Sequence, residues 1–377
     1  MSPTARTMRT TEAQLRTGQE IAGAQGREPA PWLPRKAAVV ELVPHSRASL
    51  SPHFPAPVLE IDAHGAIAVP VLPAAAPSAA ATLVHDFVEL FKIKVMMLVV
   101  VTGWGGYYLG ALQAGVSSLS SGLLNALLGI GMVSAGAGAL NEALERKTDA
   151  LMQRTSQRPM AAGRMNLAQG LAAGLGALTM GALWLHFFAN PLTEMLALLT
   201  AFLYVAIYTP LKRKTAWATF IGAFPGAMGP MLGWTAARGR IEWPAVALFA
   251  ILFVWQFPHF MSIAWLYRKD YAQAGIRMLP AVQPDGVSTI VVSLIYAVLM
   301  IPVSLAPVAL GMAGPLYTVL ASALGLVYLA YTVRFARILR PIPEAESRRT
   351  ARDLLKVSVL YLPLLFTTLM LCATRAH

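Results

Sequence analysis

Residues 288–310 read STIVVSLIYAVLMIPVSLAPVAL, an apolar run without a single charged residue and without alternation of polar and apolar positions. Its length is close to the roughly 20 residues that an α-helix needs to cross a bilayer. In lipid every backbone N–H and C=O must be satisfied within the segment, which admits helices or closed barrels, and a continuous run with no period of two selects the helix. Working outward from this stretch, comparable runs fall at about 90–110, 120–144, 166–188, 192–210, 216–235, 244–266, 314–334 and 354–373. The composition agrees. Of 377 residues 56% are hydrophobic and only 13% are charged, against about 25% charged in a soluble domain. The sequence therefore predicts an all-α membrane protein, a bundle of about nine transmembrane helices.

The formal charge of +12 does not call for nucleic acid, because the basic residues sit in every second loop, at one end of the spans. Lys92 and Lys94 flank the first span; Arg146, Lys147, Arg154, Arg158 and Arg164 follow the second; Lys212, Arg213 and Lys214 follow the fourth. Arg268, Lys269 and Arg277 follow the sixth, and a group from Arg334 to Lys356 separates the eighth from the ninth. The opposite end carries only Arg238, Arg240 and Arg375. Since cytoplasmic loops carry the excess of Lys and Arg, the N-terminus is expected in the cytoplasm and the C-terminus outside. A single cysteine, Cys372, excludes an intramolecular disulfide and a cysteine-rich metal cluster.

Residues 1–82 differ from the rest. Rich in Pro, Ala and Arg, and without sustained periodicity, they read as a disordered extension ahead of a membrane domain at 83–377. Early arginines would suit an organelle transit peptide, but Glu12, Glu20 and Glu28 do not. A bacterial plasma (inner) membrane is the expected location, with the mitochondrial inner membrane as the alternative.

The richest polar stretch is ALNEALERKTDALMQRTSQRPM, residues 139–160. Asn141, Glu145 and Asp149 are spaced i, i+4, i+8, which puts them on one face of a helix. Carboxylates at the end of an apolar segment are costly unless paired or bound to a cation. Two carboxylates and a carboxamide are hard oxygen ligands that suit Mg²⁺ together with substrate phosphates. Arg154 and Arg158 add forked donors matched to phosphate oxygens. The plainer alternative is a charged loop whose acids pair with its own arginines.

The pattern N-x-x-x-(D/E)-x-x-x-D followed by M-x-R-T-x-x-R-P (Met152 to Pro159) resembles the first acidic motif of the UbiA-like intramembrane prenyltransferases, and within them the heme O synthases (protoheme farnesyltransferases). Glu145 stands where many members have Asp. YTPLKRKT, residues 208–215, resembles the heme O synthase pattern Y-T-x-L-K-R-x-T, and the glycine-rich run to Gly233-Trp234 resembles its continuation. Gly222, Gly226 and Gly229 are read structurally, as sites of close helix approach. WQFPHF (255–260), followed by DYAQAGIRMLP (270–280), is the most family-specific signature, with Arg277 where proline is usual. Quinone-prenylating relatives carry an acid pair in this region, whereas here there is one acid, Asp270.

The resemblance implies a UbiA-like fold and transfer of a farnesyl group from farnesyl diphosphate to a vinyl group of heme b, with water addition, to give heme O for heme-copper oxidases. It implies Mg²⁺ held by Asn141, Glu145, Asp149 and Asp270, with Lys212 among the catalytic groups. Diphosphate would be bound by Arg154, Arg158, Lys212, Arg213 and Lys94. His259 is expected at heme, with Tyr208 and Tyr267 as further substrate contacts and Trp255 as another aromatic that could face a carbocation. Membrane lipids surround the protein, and heme A synthase or oxidase assembly factors are the expected protein partners. The alternatives are a prenyltransferase of a quinone or other aromatic precursor and a polytopic transporter. A transporter would place its charges near mid-bilayer, whereas here they gather at one end.

Overall fold

The computed structural model describes residues 60–61, 67–68 and 79–374. The N-terminal unit contributes a short antiparallel pair, β1 (Glu60–Ile61) and β2 (Ile67–Ala68), with Glu60 opposite Ala68. The rest of the expected extension up to residue 78 lies outside the described residues. The second unit is helical and its first helix, α1 (Ala79–Leu90), begins just inside the stretch assigned to the extension.

Lys92, between α1 and α2 (Ile93–Gln113), is in the left-handed region at φ 49° and ψ 49°, the one non-glycine residue with positive φ among the described residues. That conformation costs an ordinary residue of order 1 kcal/mol, and here it turns the chain from α1 into the first long helix. α3 (Ser121–Asp149) is capped by Ser120, whose side chain accepts the Leu123 N–H. α4 (Leu167–Phe188) opens with a capping box between Asn166 and Gln169. α5 (Pro191–Phe202) passes into a π-helical turn, Leu203–Tyr208, and then α6 (Thr209–Leu211). There follow α7 (Ala218–Arg238), α8 (Trp243–Leu266), the short α9 (Arg268–Gln273) and α10 (Leu279–Val282), and α11 (Val287–Ala309). α12 (Pro315–Phe335) leads through a 3₁₀ turn (Ala336–Leu339) to α13 (Glu344–Leu371).

Long helices stand at all nine places expected from hydropathy, and eight are long and apolar enough to cross a membrane. The remaining one, α7, carries Gly222, Gly226, Gly229 and Gly233 with Pro225 and Pro230, and its middle is buried among other helices. A helix that faces protein needs shape rather than apolarity, and α7 meets α2 backbone to backbone. A Cβ on Gly106 would lie 1.9 Å from the Pro230 carbonyl oxygen, and one on Gly233 would lie 1.8 Å from the Gly103 carbonyl oxygen. α3 and α4 are joined the same way through Gly136, Gly174 and Gly181. These small-residue contacts are how helices approach closely where lipid gives no hydrophobic drive to associate.

One boundary is corrected. The last helix was expected at 354–373, with Arg348, Arg349 and Arg352 in the preceding loop, but α13 begins at Glu344. Its first turns are amphipathic, burying Ser347, Thr350, Ala351 and Leu354, so they escape a hydropathy reading that registers only the lipid-crossing part.

Candidate functional site

A cavity of about 370 Å³ opens among α2, α3, the α5–α6 turn, α7 and the α8–α9 junction. One wall is the polar face of α3. Asn141, Glu145 and Asp149 all line the cavity and are only 2%, 6% and 1% exposed. The helix runs unbroken to Asp149, so the i, i+4, i+8 spacing delivers three oxygen-bearing side chains to one side, as expected.

Each is met by a partner from another element. Lys92 Nζ donates to Asn141 Oδ1. Lys212 Nζ forms an ion pair with Glu145 Oε1, an oxygen that has no aligned hydrogen-bond donor. Arg158 Nη1 donates to Asp149 Oδ2 at 2.8 Å. Asn141 Nδ2 in turn donates to Thr209 Oγ1 at 2.9 Å, and that hydroxyl donates to the Tyr204 carbonyl at 2.8 Å. The π-helical turn thus anchors Asn141, and it brings Tyr204 and Tyr208 to the cavity with stacked rings 5.9 Å apart. π-turns of this kind recur at functional sites.

Arg154 is the fourth cation of the lining. Its guanidinium lies 5.0 Å from the centre of the Tyr267 ring and donates to Tyr271 Oη at 3.3 Å. Burial pushes the Tyr271 hydroxyl pKa up, against the opposing charge of Arg154. Lys92 is pushed down to about 8, first by burial and then by the nearby Arg158 charge. For Arg158 burial likewise lowers the pKa, but the charge and hydrogen bond of the Asp149 carboxylate outweigh it and the guanidinium is held above its usual value. Four cations thus face two carboxylates, and the excess of positive charge suits a polyanion.

The lining also fits a divalent cation. Its oxygen atoms are hard donors and already hold cationic groups. Below this polar end the cavity becomes apolar, lined by Val99, Ile130, Val133, Ala197 and Leu232.

Several expected site residues lie elsewhere. Lys94 is exposed and outside the lining, because the left-handed turn at Lys92 aims the earlier lysine inward. Arg213 is likewise exposed and outside it. Asp270, on α9, is half-buried, its side chain has no hydrogen-bond or ionic partner among the described residues, and it does not line the cavity, although its neighbour Tyr271 does. Tyr267 supports Arg154 rather than lining the cavity. Trp255 is buried, donating from Nε1 to the Ser358 carbonyl. His259 stacks on Trp255 with centroids 4.7 Å apart and places Nδ1 2.8 Å from Ser358 Oγ, on the α13 side of α8, while the next residue, Phe260, lines the cavity.

Sequence reasoning missed Lys92, Tyr204, Thr209 and Tyr271 as site residues. It also missed Glu142, whose side chain is fully buried and accepts the Met160 N–H at 3.3 Å, tying the arginine-bearing loop to α3.

The profile of the UbiA prenyltransferase family matches residues 66–358. A protoheme IX farnesyltransferase of Koribacter versatilis is 49% identical over 294 residues, covering 78% of this chain and 95% of that one. Another, of Solibacter usitatus, is 42% identical over 293 residues, covering 76% of this chain and 98% of its own. Among solved structures, a digeranylgeranylglyceryl phosphate synthase superposes with a TM-score of 0.63 at 16% identity, covering 77% of this chain and 98% of that one. A UbiA homolog from Archaeoglobus fulgidus bound to GPP and Mg²⁺ gives a TM-score of 0.50 at 13% identity, over 75% of this chain and 99% of that one. At these identities the two structures bear on the fold, which they share with this chain.

Proposed function

The chain belongs to the UbiA prenyltransferase family, and on that footing we propose that it is an Mg²⁺-dependent enzyme that farnesylates protoheme to make heme O. The observation that carries the reading is the cavity itself, in which buried oxygen ligands and four cations form one end and an apolar channel forms the other. A diphosphate with an isoprenoid tail matches both ends, and the relatives named as protoheme IX farnesyltransferases supply the acceptor.

Mg²⁺ held through Asn141, Glu145, Asp149 and Asp270 would neutralise diphosphate charge and stabilise it as a leaving group. Lys92, Lys212, Arg154 and Arg158 surround the same volume and are placed to stabilise the charge that grows on the departing diphosphate. The allylic C–O bond breaks with its electron pair going to diphosphate, and the vinyl group's π pair forms the new C–C bond. Water then adds to the cation left on the porphyrin side chain and releases a proton. Tyr204 and Tyr208 present ring faces to the cavity, where cation–π attraction is worth about 2 kcal/mol once desolvated. The apolar channel from Val99 to Leu232 takes the farnesyl chain.

The tautomer of His259 supports a role at heme. Ser358 Oγ donates its single proton to the Leu355 carbonyl at 2.6 Å, so toward His259 it can only accept. Nδ1 therefore carries the imidazole proton, and Nε2 is left as a bare acceptor fit for iron.

The protein is an integral membrane protein. With bacterial relatives on all sides, its proposed location is the bacterial inner membrane, with the basic end in the cytoplasm. Heme A synthase or oxidase assembly factors are the proposed protein partners.

Purified protein in detergent, given Mg²⁺, farnesyl diphosphate and heme b, is expected to release diphosphate and yield heme O. Release with 4-hydroxybenzoate but not with heme would overturn the acceptor. Absence of release with any acceptor would overturn the enzyme.

A further inference from the structure

A second cavity, of about 350 Å³, lies between α12 and α13 and is lined by Arg334, Arg337, Ala345, Glu346, Arg349 and Thr350. None of these residues lines the prenyl cavity. We infer that this pocket binds the phosphate of an anionic phospholipid headgroup.

The charge is the first argument. Three guanidinium groups share the pocket with one carboxylate. Arg337 reaches Glu346 at 2.6 Å, Arg334 reaches Asp353 at 3.4 Å, and Arg349 has no acidic partner among the described residues. Arginine forks match phosphate oxygens geometrically as well as electrostatically. The three come from different pieces of chain, the last turn of α12, the 3₁₀ turn and the second turn of α13. They converge because the chain reverses there.

The second argument is what adjoins the charge. Val333 and Leu339, beside Arg334 and Arg337, are 55% and 46% exposed, and Val359 and Leu360 further along α13 are 52% and 62% exposed. Both are lipid-crossing helices, so cationic pocket and lipid-facing apolar surface meet within a few turns. A soluble anion would use only the first of these features, whereas an amphiphile with a phosphate head uses both, and basic pockets between transmembrane helices are where anionic headgroups are held. The pocket stands at the same end of the bundle as the prenyl cavity, since Arg268, just before α9, pairs with Glu344 of α13 at 2.7 Å.

The test uses the full chain, delipidated in detergent, with lipid retention read by native mass spectrometry and stability read by thermal unfolding. Phosphatidylglycerol is expected to be retained and to raise Tm, and phosphatidylcholine is not. Arg349→Gln and Arg334→Gln should each weaken phosphatidylglycerol binding about fivefold. Arg349 is exposed and unpaired, so its variant should fold and keep its prenyl-transfer rate in detergent, which separates lost binding from lost structure. Equal retention of the two lipids would overturn the inference, as would unchanged binding in Arg349→Gln. Equal stabilisation by inorganic phosphate would also overturn it, and would reassign the pocket to a soluble anion.

Discussion

Lys92 and Lys94 are two residues apart, and the sequence favours the second as a diphosphate ligand while the structure favours the first. Replacing each by glutamine separates the two readings. Lys92 Nζ lies in the cavity against Asn141, where a lost hydrogen bond to a charged group costs about 1.5–3 kcal/mol. At about 1.4 kcal/mol per decade, Lys92→Gln should lower kcat/KM for farnesyl diphosphate roughly 10- to 150-fold. Lys94 is exposed, and removing a surface charge costs about 0.5 kcal/mol, roughly a twofold change. The assay is heme O formation over a range of farnesyl diphosphate concentrations, with Tm measured alongside. The same lysine sets a pH dependence. Its pKa is held down near 8 by burial and by the charge of Arg158, so the free enzyme loses this cation as pH rises through about 8. kcat/KM should fall over that interval, and Lys92→Arg, which stays charged, should remove the inflection. The reasoning fails if Lys94→Gln costs as much as Lys92→Gln, or if Lys92→Gln stays within twofold of wild type.

Three further outcomes are expected. Gly106→Ala pushes a methyl into the Pro230 carbonyl, and overpacking of this kind costs about 1–3 kcal/mol or more; Tm should drop by several degrees, while Gly176→Ala, with open space around it, should leave Tm unchanged or slightly raised. Asp270→Asn should raise the Mg²⁺ concentration for half-maximal diphosphate release about tenfold or more, and an unchanged Mg²⁺ titration would remove Asp270 from the metal site. His259→Ala should weaken heme binding and shift the heme spectrum, whereas unchanged affinity and spectrum would return His259 to helix packing against Trp255 and Ser358.

What the sequence made legible follows from what local periodicity can carry. The α3 face was readable because three positions on one helix share a side whatever surrounds them. Gly222, Gly226 and Gly229 were readable as contact points, and the close approach of Tyr208, Gln256 and Thr102 to them bears that out. Lys92 was not readable, because its direction depends on one left-handed residue that splits what looks like a continuous run from Leu90 into the first span. The π-turn was not readable either. Leu203–Tyr208 has the composition of ordinary helix, and its extra residue is set by contacts distant in sequence: Tyr208 lies against Gly222, where a Cβ would come within 2.5 Å of the ring, and Thr209 is held by Asn141. Glu142 shows the same limit, since the backbone amide it accepts comes from Met160, beyond the helix end.

These contacts also divide the site into a fixed part and an adjustable one. Asn141, Glu145 and Asp149 stand on α3, which is locked to α4 through glycines, and Asn141 is tied to the π-turn. The cations arrive on long side chains from the α1–α2 junction, the 150–166 loop and the residues after α6, and each now rests on an α3 oxygen or a tyrosine. On the proposed function a metal–diphosphate complex would need both sets in the same space, and the cations would leave the oxygens when it arrives. Lysine and arginine stems can swing through several ångströms at modest rotamer cost, and phosphate oxygens offer them new partners. A buried helix face cannot move that way without disturbing its packing. On that proposal, precision in the α3 oxygens and freedom in the cations is the division of labour that this packing imposes. It accounts for a cavity whose ionic pairs are made in the free protein and yet leave more positive charge than negative.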